Sequence, residues 1–336
     1  MNKINLGIVG LGPLSQTIHI PCFSKNRNTR ITAFCDHNKH LLSSVSSKYR
    51  VLNTYTNVGK MIKNEKLNAI VLVVQRPNTF SVSKEILKLK VNLLVEKPMA
   101  LNLKQAKELV KIQKKNKTKY VIAYMKRSDD AVNYLKNKIV RKNFGPLISA
   151  YYKSYIGRPQ PITKNFINHK DKERRKKYSL NLKHLSKKKI FERYLNVHCH
   201  SINLIRYIFG PIRTKKILLN KLGEGSVFFE NRKKIKIELK NKFLLDQTWE
   251  EFIKLKFKKG YIKIKLQNPF NTRSNSQIIT KKQKEKINIK NFKKSSFLNQ
   301  SKNFVNYIKK NKINVLSNGE ESLKDIQTIE YIFRKN

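Results

Sequence analysis

A strand-like segment of six residues, Ile4 to Val9, passes directly into Gly10-Leu11-Gly12-Pro13-Leu14-Ser15, and a helix-like segment follows. This strand, glycine turn and helix constrains the N-terminal part of the chain more than any other feature. The first glycine permits a tight turn. The second lets the backbone approach a pyrophosphate, which would rest on the amides of the helix N-terminus. Serine takes the place of a third glycine, where it can loosen the packing of the first helix on the sheet. The next strand-like run, Ile31 to Cys35, ends at Asp36, 21 residues after Ser15. An acid there can accept from a ribose 2′-hydroxyl and would repel a 2′-phosphate. Gly10, Gly12, Pro13, Leu14, Ser15 and Asp36 are therefore candidate contacts for a dinucleotide, with NAD preferred to NADP. An ordinary strand-turn-helix is the plainer alternative.

The alternation continues. Candidate strands Ala69 to Val74, Asn92 to Val95 and Tyr120 to Ala123 are separated by helix-like Lys39 to Tyr49, Thr79 to Leu89 and Leu103 to Asn116. Strand and helix in turn predict a parallel sheet covered on both faces, a doubly wound Rossmann domain over residues 1–125. From residue 126 to 336 the pattern changes to a second, α+β domain. A strand near Leu147 to Tyr155 precedes a basic stretch, Arg158 to Arg193, that reads as a surface insertion or lid. A helix from Asn196 to Phe209 follows, and then several strands. Ile253 to Phe257 and Ile262 to Leu266 alternate strictly about Lys258-Lys259-Gly260-Tyr261, which predicts an antiparallel hairpin with one apolar and one lysine face. Ser317 and Glu320 have capping-box spacing before a last helix, 320–333, that is free to pack back on the first domain.

The chain carries 74 Lys and Arg against 21 Asp and Glu, a formal charge of +53. The lysines are spread along nearly the whole sequence with an excess of Asn and Ile, the mark of codon bias rather than of a site. No zinc finger, aromatic RNA-binding signature or confined basic arm accompanies them, so no specific nucleic acid is expected, only salt-sensitive adsorption to polyanions. Cys22, Cys35 and Cys199 form neither a disulfide framework nor a metal motif. With no signal-peptide pattern and no apolar run of membrane-spanning length, a cytoplasmic protein without a membrane partner is expected.

At Glu96-Lys97-Pro98, after the strand Asn92 to Val95, the chain resembles the glucose-fructose oxidoreductase and inositol dehydrogenase family, often called Gfo/Idh/MocA. The likeness covers almost the whole length. It includes His19-Ile20-Pro21 after the glycine loop, Val73-Val74-Gln75-Arg76-Pro77-Asn78, Tyr124-Met125-Lys126-Arg127, Phe144-Gly145-Pro146-Leu147, and His200-Ser201-Ile202-Asn203 with Gly210 beyond. The resemblance implies an NAD(P)-dependent dehydrogenase or reductase acting on CH-OH groups of a sugar, polyol or nucleotide sugar, with an open-faced, mostly antiparallel second sheet and a homo-oligomeric assembly. It places Pro77, Asn78, Glu96 and Lys97 beside the cofactor, and Lys97 also near the reacting oxygen. His200 matches the acid/base histidine. Members often carry an acid four residues before it and another three after; here those places hold Asn196 and Asn203.

Each assignment has a plainer alternative. Lys97 could be a solvated strand-end lysine and His200 a satisfied core or capping histidine. Arg127, a candidate for substrate contact with Asn203, could be an ordinary surface arginine. His19 and His37 read as packing or surface residues. The His198-His200 pair has no further ligands in sequence, and hydride transfer needs no metal, so none is expected. Asn196 and Asn203 keep open a second class, a non-catalytic or regulatory dinucleotide-binding protein of the same fold. The basic surface keeps open a third, RNA binding.

Overall fold

A computed structural model describes residues 3–139, 144–157, 166–167, 186–271, 275–313 and 315–336. Most of the basic stretch read as an insertion lies outside the described residues. The chain separates into two compact units. The first comprises residues up to Tyr124, the pair 166–167 and Phe297–Lys324; the second comprises residues 125–157, 186–296 and 325–336.

In the first unit the strands are β1 (Ile4–Val9), β2 (Thr29–Cys35), β3 (Asn53–Tyr55), β4 (Ala69–Leu72), β5 (Asn92–Val95) and β6 (Tyr120–Ile122). Between them run α1 (Ile20–Ser24), α2 (Lys39–Tyr49), α3 (Val58–Asn64), α4 (Arg76–Lys88) and α5 (Leu103–Asn116). The sheet order is β3-β2-β1-β4-β5-β6, all parallel. Strand order reverses between β1 and β4, and ligands of open α/β sheets bind outside the carboxyl ends at that point. β4 and β5 are apolar and almost wholly buried, as expected of strands covered on both faces. β3 and α3 escape the sequence pattern. β3 is three half-polar edge residues, and α3 is seven residues held by its cap, Asn57 Oδ1 accepting from Lys60 N–H at 2.8 Å.

The second unit opens with a 3₁₀ turn, Met125–Ser128, and α6 (Asp130–Ile139). Its other elements are β7 (Leu147–Ile156), α7 (Lys187–Phe209), β8 (Ile212–Leu219), β9 (Gly225–Asn231), β10 (Lys236–Phe243), β11 (Trp249–Phe257), β12 (Gly260–Lys265), β13 (Ser276–Lys282) and β14 (Asn288–Phe292). They form one eight-stranded sheet, β14-β13-β12-β11-β7-β10-β9-β8, antiparallel except for the β7–β10 pair. The hairpin forms as expected: Ile253 pairs with Ile264 and Lys254 with Lys263, the isoleucines buried and the lysines on the other face.

The start of α7 and the cap of the last helix depart from the sequence reading. α7 begins nine residues before Asn196, capped by Ser186, so Lys187 to Arg193 is helix and not insertion. The chain closes with α8 (Ser296–Lys310), β15 (Ser317–Asn318), antiparallel to β6, and α9 (Gly319–Lys335). The cap of α9 is Asn318, whose Oδ1 accepts from Glu321 N–H at 2.9 Å, whereas the Ser317 hydroxyl meets the Ser322 hydroxyl.

Candidate functional site

In the first unit the glycine loop is shaped as its sequence demands. Gly10 has φ +86°, donates its N–H to Cys35 O at 2.8 Å, and would place a Cβ 2.3 Å from Val73 O, so only glycine fits. A Cβ at Gly12 would meet nothing within 4 Å, which leaves this turn open to a ligand. The buried Asp36 carboxylate holds the loop from the neighbouring strand end, Oδ2 accepting from Leu11 N–H at 2.8 Å and Oδ1 from Asn38 N–H at 2.9 Å. Each oxygen keeps capacity for a further donor such as a ribose hydroxyl. The helical segment after Pro13 includes a π turn, Ser15–His19, and Ser15 is fully buried within it, so the third glycine position accommodates a hydroxymethyl group. Buried Gln16 braces the same turn, donating to Leu11 O at 2.8 Å and exchanging two bonds of 2.9 Å with the backbone of Ile167.

Glu96 and Lys97 follow the carboxyl end of β5. Glu96 Oε1 lies 2.8 Å from His19 Nε2 and its Oε2 accepts the Lys97 N–H at 3.2 Å, while the His19 ring stands edge-on to Phe297. His19 is thus a buried partner of the Glu-Lys-Pro motif, whereas His37 is exposed on the surface. Pro77 and Asn78 are exposed in the first turn of α4, which starts three residues earlier than the pattern suggested. Because β1, β2, β4 and β5 are parallel, the loop glycines, Asp36, Pro77, Asn78, Glu96 and Lys97 all follow carboxyl ends on one edge of the sheet. These residues fit a dinucleotide: an open glycine turn, a buried acid at the end of the neighbouring strand, and a helix N-terminus beside them.

In the second unit, α7 divides its two histidines. His198 is fully buried between the rings of Tyr194 and Phe243, with Ser154 Oγ 3.3 Å from Nδ1. Burial, with the cations Lys126 and Arg193, pushes its pKa down to about 3, so it is neutral near pH 7. His200 lies two residues on and so turns to another side of the helix. Asn196, four before it, and Asn203, three after it, share its side. Asn203 Nδ2 donates to Asp325 Oδ2 at 2.6 Å, and Arg206 pairs with the other oxygen of the same carboxylate. Asp325 is fully buried. Burial raises its pKa to about 6 against the opposing pull of Arg206, Asn203 and Arg127. Arg127 is itself buried, its guanidinium 4.6 Å above the Tyr207 ring, which corrects the surface-arginine alternative.

A second buried cluster joins the motif Tyr124 to Arg127 to the sheet. Lys126 Nζ and Tyr152 Oη each lie 2.5 Å from Glu251 Oε1, and Trp249 Nε1 donates to Oε2 at 3.1 Å. Glu251 and Asp325 were not singled out from sequence, yet both left a signal. Glu251 occupies an inward position of β11 otherwise filled by Ile253, Leu255 and Phe257. Asp325 interrupts the buried stripe of α9 formed by Ile326, Ile329 and Ile332. An acid in an apolar row costs free energy unless it is paired.

Among the described residues no group of three or more His, Cys, Asp or Glu is placed to hold a metal ion, and no helix is long and apolar enough to cross a membrane.

Residues 4–124 match the family model GFO_IDH_MocA, described as an oxidoreductase family with an NAD-binding Rossmann fold. A curated relative, Oxidoreductase P35 of Formosa agariphila, is 26% identical over 149 residues, which are 44% of this chain and 46% of the relative. The match therefore spans less than half of either protein. Solved structures share the fold over nearly the whole chain. A dehydrogenase (MviM) from Clostridium difficile has a TM-score of 0.77 at 17% identity, covering 99% of both chains. A dehydrogenase from Chromobacterium violaceum has 0.75 at 16%, covering 100% of this chain and 96% of that one. KijD10, a 3-ketoreductase from Actinomadura kijaniata solved with NADP and TDP-benzene, has 0.76 at 12%, covering 98% and 97%.

Proposed function

We propose that the chain is an NAD-dependent dehydrogenase or reductase of the Gfo/Idh/MocA oxidoreductase family, whose NAD-binding model its residues 4–124 match. Its substrate is a hydroxyl or carbonyl carbon of a sugar, polyol or nucleotide sugar. The observation that carries this reading is the open Gly12 turn held by the buried Asp36 carboxylate. An acid in that place favours a ribose diol over a 2′-phosphate, so NAD is the proposed cofactor although a structural neighbour was solved with NADP.

The proposed roles follow from the chemistry of each side chain. A nicotinamide dinucleotide held by the Gly10-to-Ser15 turn and Asp36 would supply the hydride acceptor for oxidation and the hydride donor for reduction. His200 takes the hydroxyl proton in oxidation and returns it in reduction, the acid/base role open to an imidazole. Lys97, after the carboxyl end of β5, stabilises the developing alkoxide, and the Glu96–His19 pair fixes the backbone from which it extends. Arg127 and Asn203 contribute to substrate binding and Asn196 orients His200. A cytoplasmic homo-oligomer belongs to the same proposal.

The test is a thermal shift with NAD and NADP at equal concentration, followed by NADH formation over myo-inositol, glucose, UDP-glucose and UDP-N-acetylglucosamine. NAD is expected to stabilise more, because binding to the folded state alone raises the midpoint. A larger shift with NADP would remove Asp36 from the ribose position. Cofactor binding without turnover of any panel member would favour the non-catalytic class.

A further inference from the structure

The second unit carries a cavity whose walls include none of the residues given a role above. It lies between the first turn of α7, the end of β8 with the turn after it, and the last turn of α9, and its volume is about 780 Å³. That falls within the roughly 300–1,000 Å³ of small-molecule sites. Phe191, its wall residue furthest along α7, precedes His200 by nine residues, about 14 Å of helix. The floor is apolar, formed by Ile190, Phe191, Leu219 and Phe333. Its parts are held in place by their own contacts. Phe333 stands edge-on to Phe191 and to Tyr194, at ring separations of 5.6 and 5.0 Å. The turn after β8 is braced from within: Asn220 Oδ1 accepts from the amides of Leu222 and Glu224 at 2.9 and 3.0 Å, and Asn241 Nδ2 donates to Gly223 O at 2.7 Å. A Cβ on Gly223, at φ +75°, would come within 3.1 Å of Ile190 Cγ2 and 3.3 Å of Phe333 Cζ, so glycine lets the turn close against that floor.

Lys187, Lys188, Lys221 and Arg334 border this floor, against one acid, Glu330. Cations outnumber acids here about as they do in the whole chain, so charge does not single out the place. The preformed apolar cavity does, and the charge decides the sign of what enters it. Phe191 and Phe333 meet at 83° and so offer no parallel pair of faces to sandwich a nucleotide base. An alkyl chain needs no such pair, because it is held by buried area alone. We propose that this cavity binds a long-chain carboxylate, a free fatty acid. The alkyl chain lies on Ile190, Phe191, Leu219 and Phe333, and the carboxylate sits among the cations of the rim, whose stems cover the apolar edge while their charged ends reach it. This site goes beyond the dehydrogenase reading and does not rest on it.

The experiment is isothermal titration calorimetry of the whole chain with monomeric decanoate and laurate at pH 7.5, in salt of about 0.3 M to screen diffuse attraction to the basic surface. One molecule is expected to bind per chain, laurate more tightly than decanoate by up to roughly fourfold for each added CH₂. Decyltrimethylammonium, with the same chain and a cationic head, should not bind. Leu219→Asp should weaken laurate binding about tenfold or more, and so should the rim variant Lys188→Glu/Lys221→Glu/Arg334→Glu. The latter carries the test alone if Leu219→Asp does not fold, as its thermal midpoint would show. The control variant Lys254→Glu/Lys256→Glu/Lys265→Glu makes the same change of charge on the exposed lysine face of β11 and β12 and should stay within about twofold. Equal losses in the rim and control variants would reduce the binding to diffuse attraction and overturn the proposal. Displacement of laurate by NAD would overturn it too, by placing the fatty acid at the cofactor turn. So would binding to vesicles of phosphatidylcholine and phosphatidylserine, lost in the rim variant, without binding of laurate monomers, since the cavity would then belong to a membrane-docking surface.

Discussion

Replacing Glu251 by Gln tests the buried cluster most sharply. Three donors converge on this carboxylate: Lys126 Nζ and Tyr152 Oη on Oε1, and Trp249 Nε1 on Oε2. The Lys126 and Glu251 side chains are 9% and 0% exposed, so water cannot take over either role. Burial and the adjacent Glu251 charge push the Tyr152 hydroxyl well above its ordinary pKa, so it remains a donor throughout the accessible range. A glutamine of the same shape has one acceptor end. With its oxygen towards Lys126 and Tyr152, its NH₂ faces the indole N–H, donor against donor; reversed, it forfeits both other bonds. In either orientation the Lys126 ammonium loses its counter-charge. Breaking a buried pair from one side costs about 3–5 kcal/mol. For a unit of about 160 residues each kcal/mol moves the midpoint by about 2–4 °C, which gives a fall of about 6–20 °C. Differential scanning calorimetry at pH 7.5 reads this directly. Removing the second charge as well, in Lys126→Met/Glu251→Gln, should recover part of the loss, because replacing a buried pair costs less than orphaning one member. A shift under about 2 °C for Glu251→Gln, or a double variant less stable than the single, would refute the claim that this pair is desolvated and mutually dependent.

Three further outcomes are expected. The acidic limb of kcat/KM should belong to His200 and not His198: His200→Ala should lose the limb and about 100-fold or more in rate, whereas His198→Gln should leave the limb in place, its own pKa of about 3 lying below the assay range. An Asn196→Asp variant should move that limb upward by up to about one unit, by favouring the imidazolium; a shift downward would exclude Asn196 as a neighbour of the base. Asp325 should also mark the pH dependence of stability. Its folded pKa is raised to about 6, so the native state holds a proton that the unfolded chain releases near 4. The stabilisation from this group is complete below about pH 4 and is lost as pH rises through about 6, and Asp325→Asn should flatten that part of a midpoint-against-pH curve.

The local rules of the chain were sufficient for much of this architecture. β1, α2, β5 and α5 begin and end where their apolar periodicity and caps place them, since 3.6-residue and 2-residue periods are properties of contiguous sequence. The glycine turn and Asp36 were legible for the same reason: a motif within one strand-turn-helix, and an acid at the end of the next strand. The lysine and apolar faces of β11 and β12 follow from strict alternation alone. The short β3 and α3 were not legible, because three edge residues and seven capped ones carry too little periodicity to stand above the background.

What only the tertiary structure decided are pairings between residues far apart in sequence. His19 reads as packing until the sheet brings it to Glu96, and Lys126 is one lysine among many until β11 presents Glu251 to it. The two asparagines around His200 read as lost charge along α7, and only the approach of α9 returns a carboxylate, through Asp325, to Asn203 and Arg206. Sequence shows where an acid breaks an apolar row. Its partner is chosen by the packing of strands and helices, because the cost of burying a charge is offset only by groups that the fold itself brings within hydrogen-bond reach.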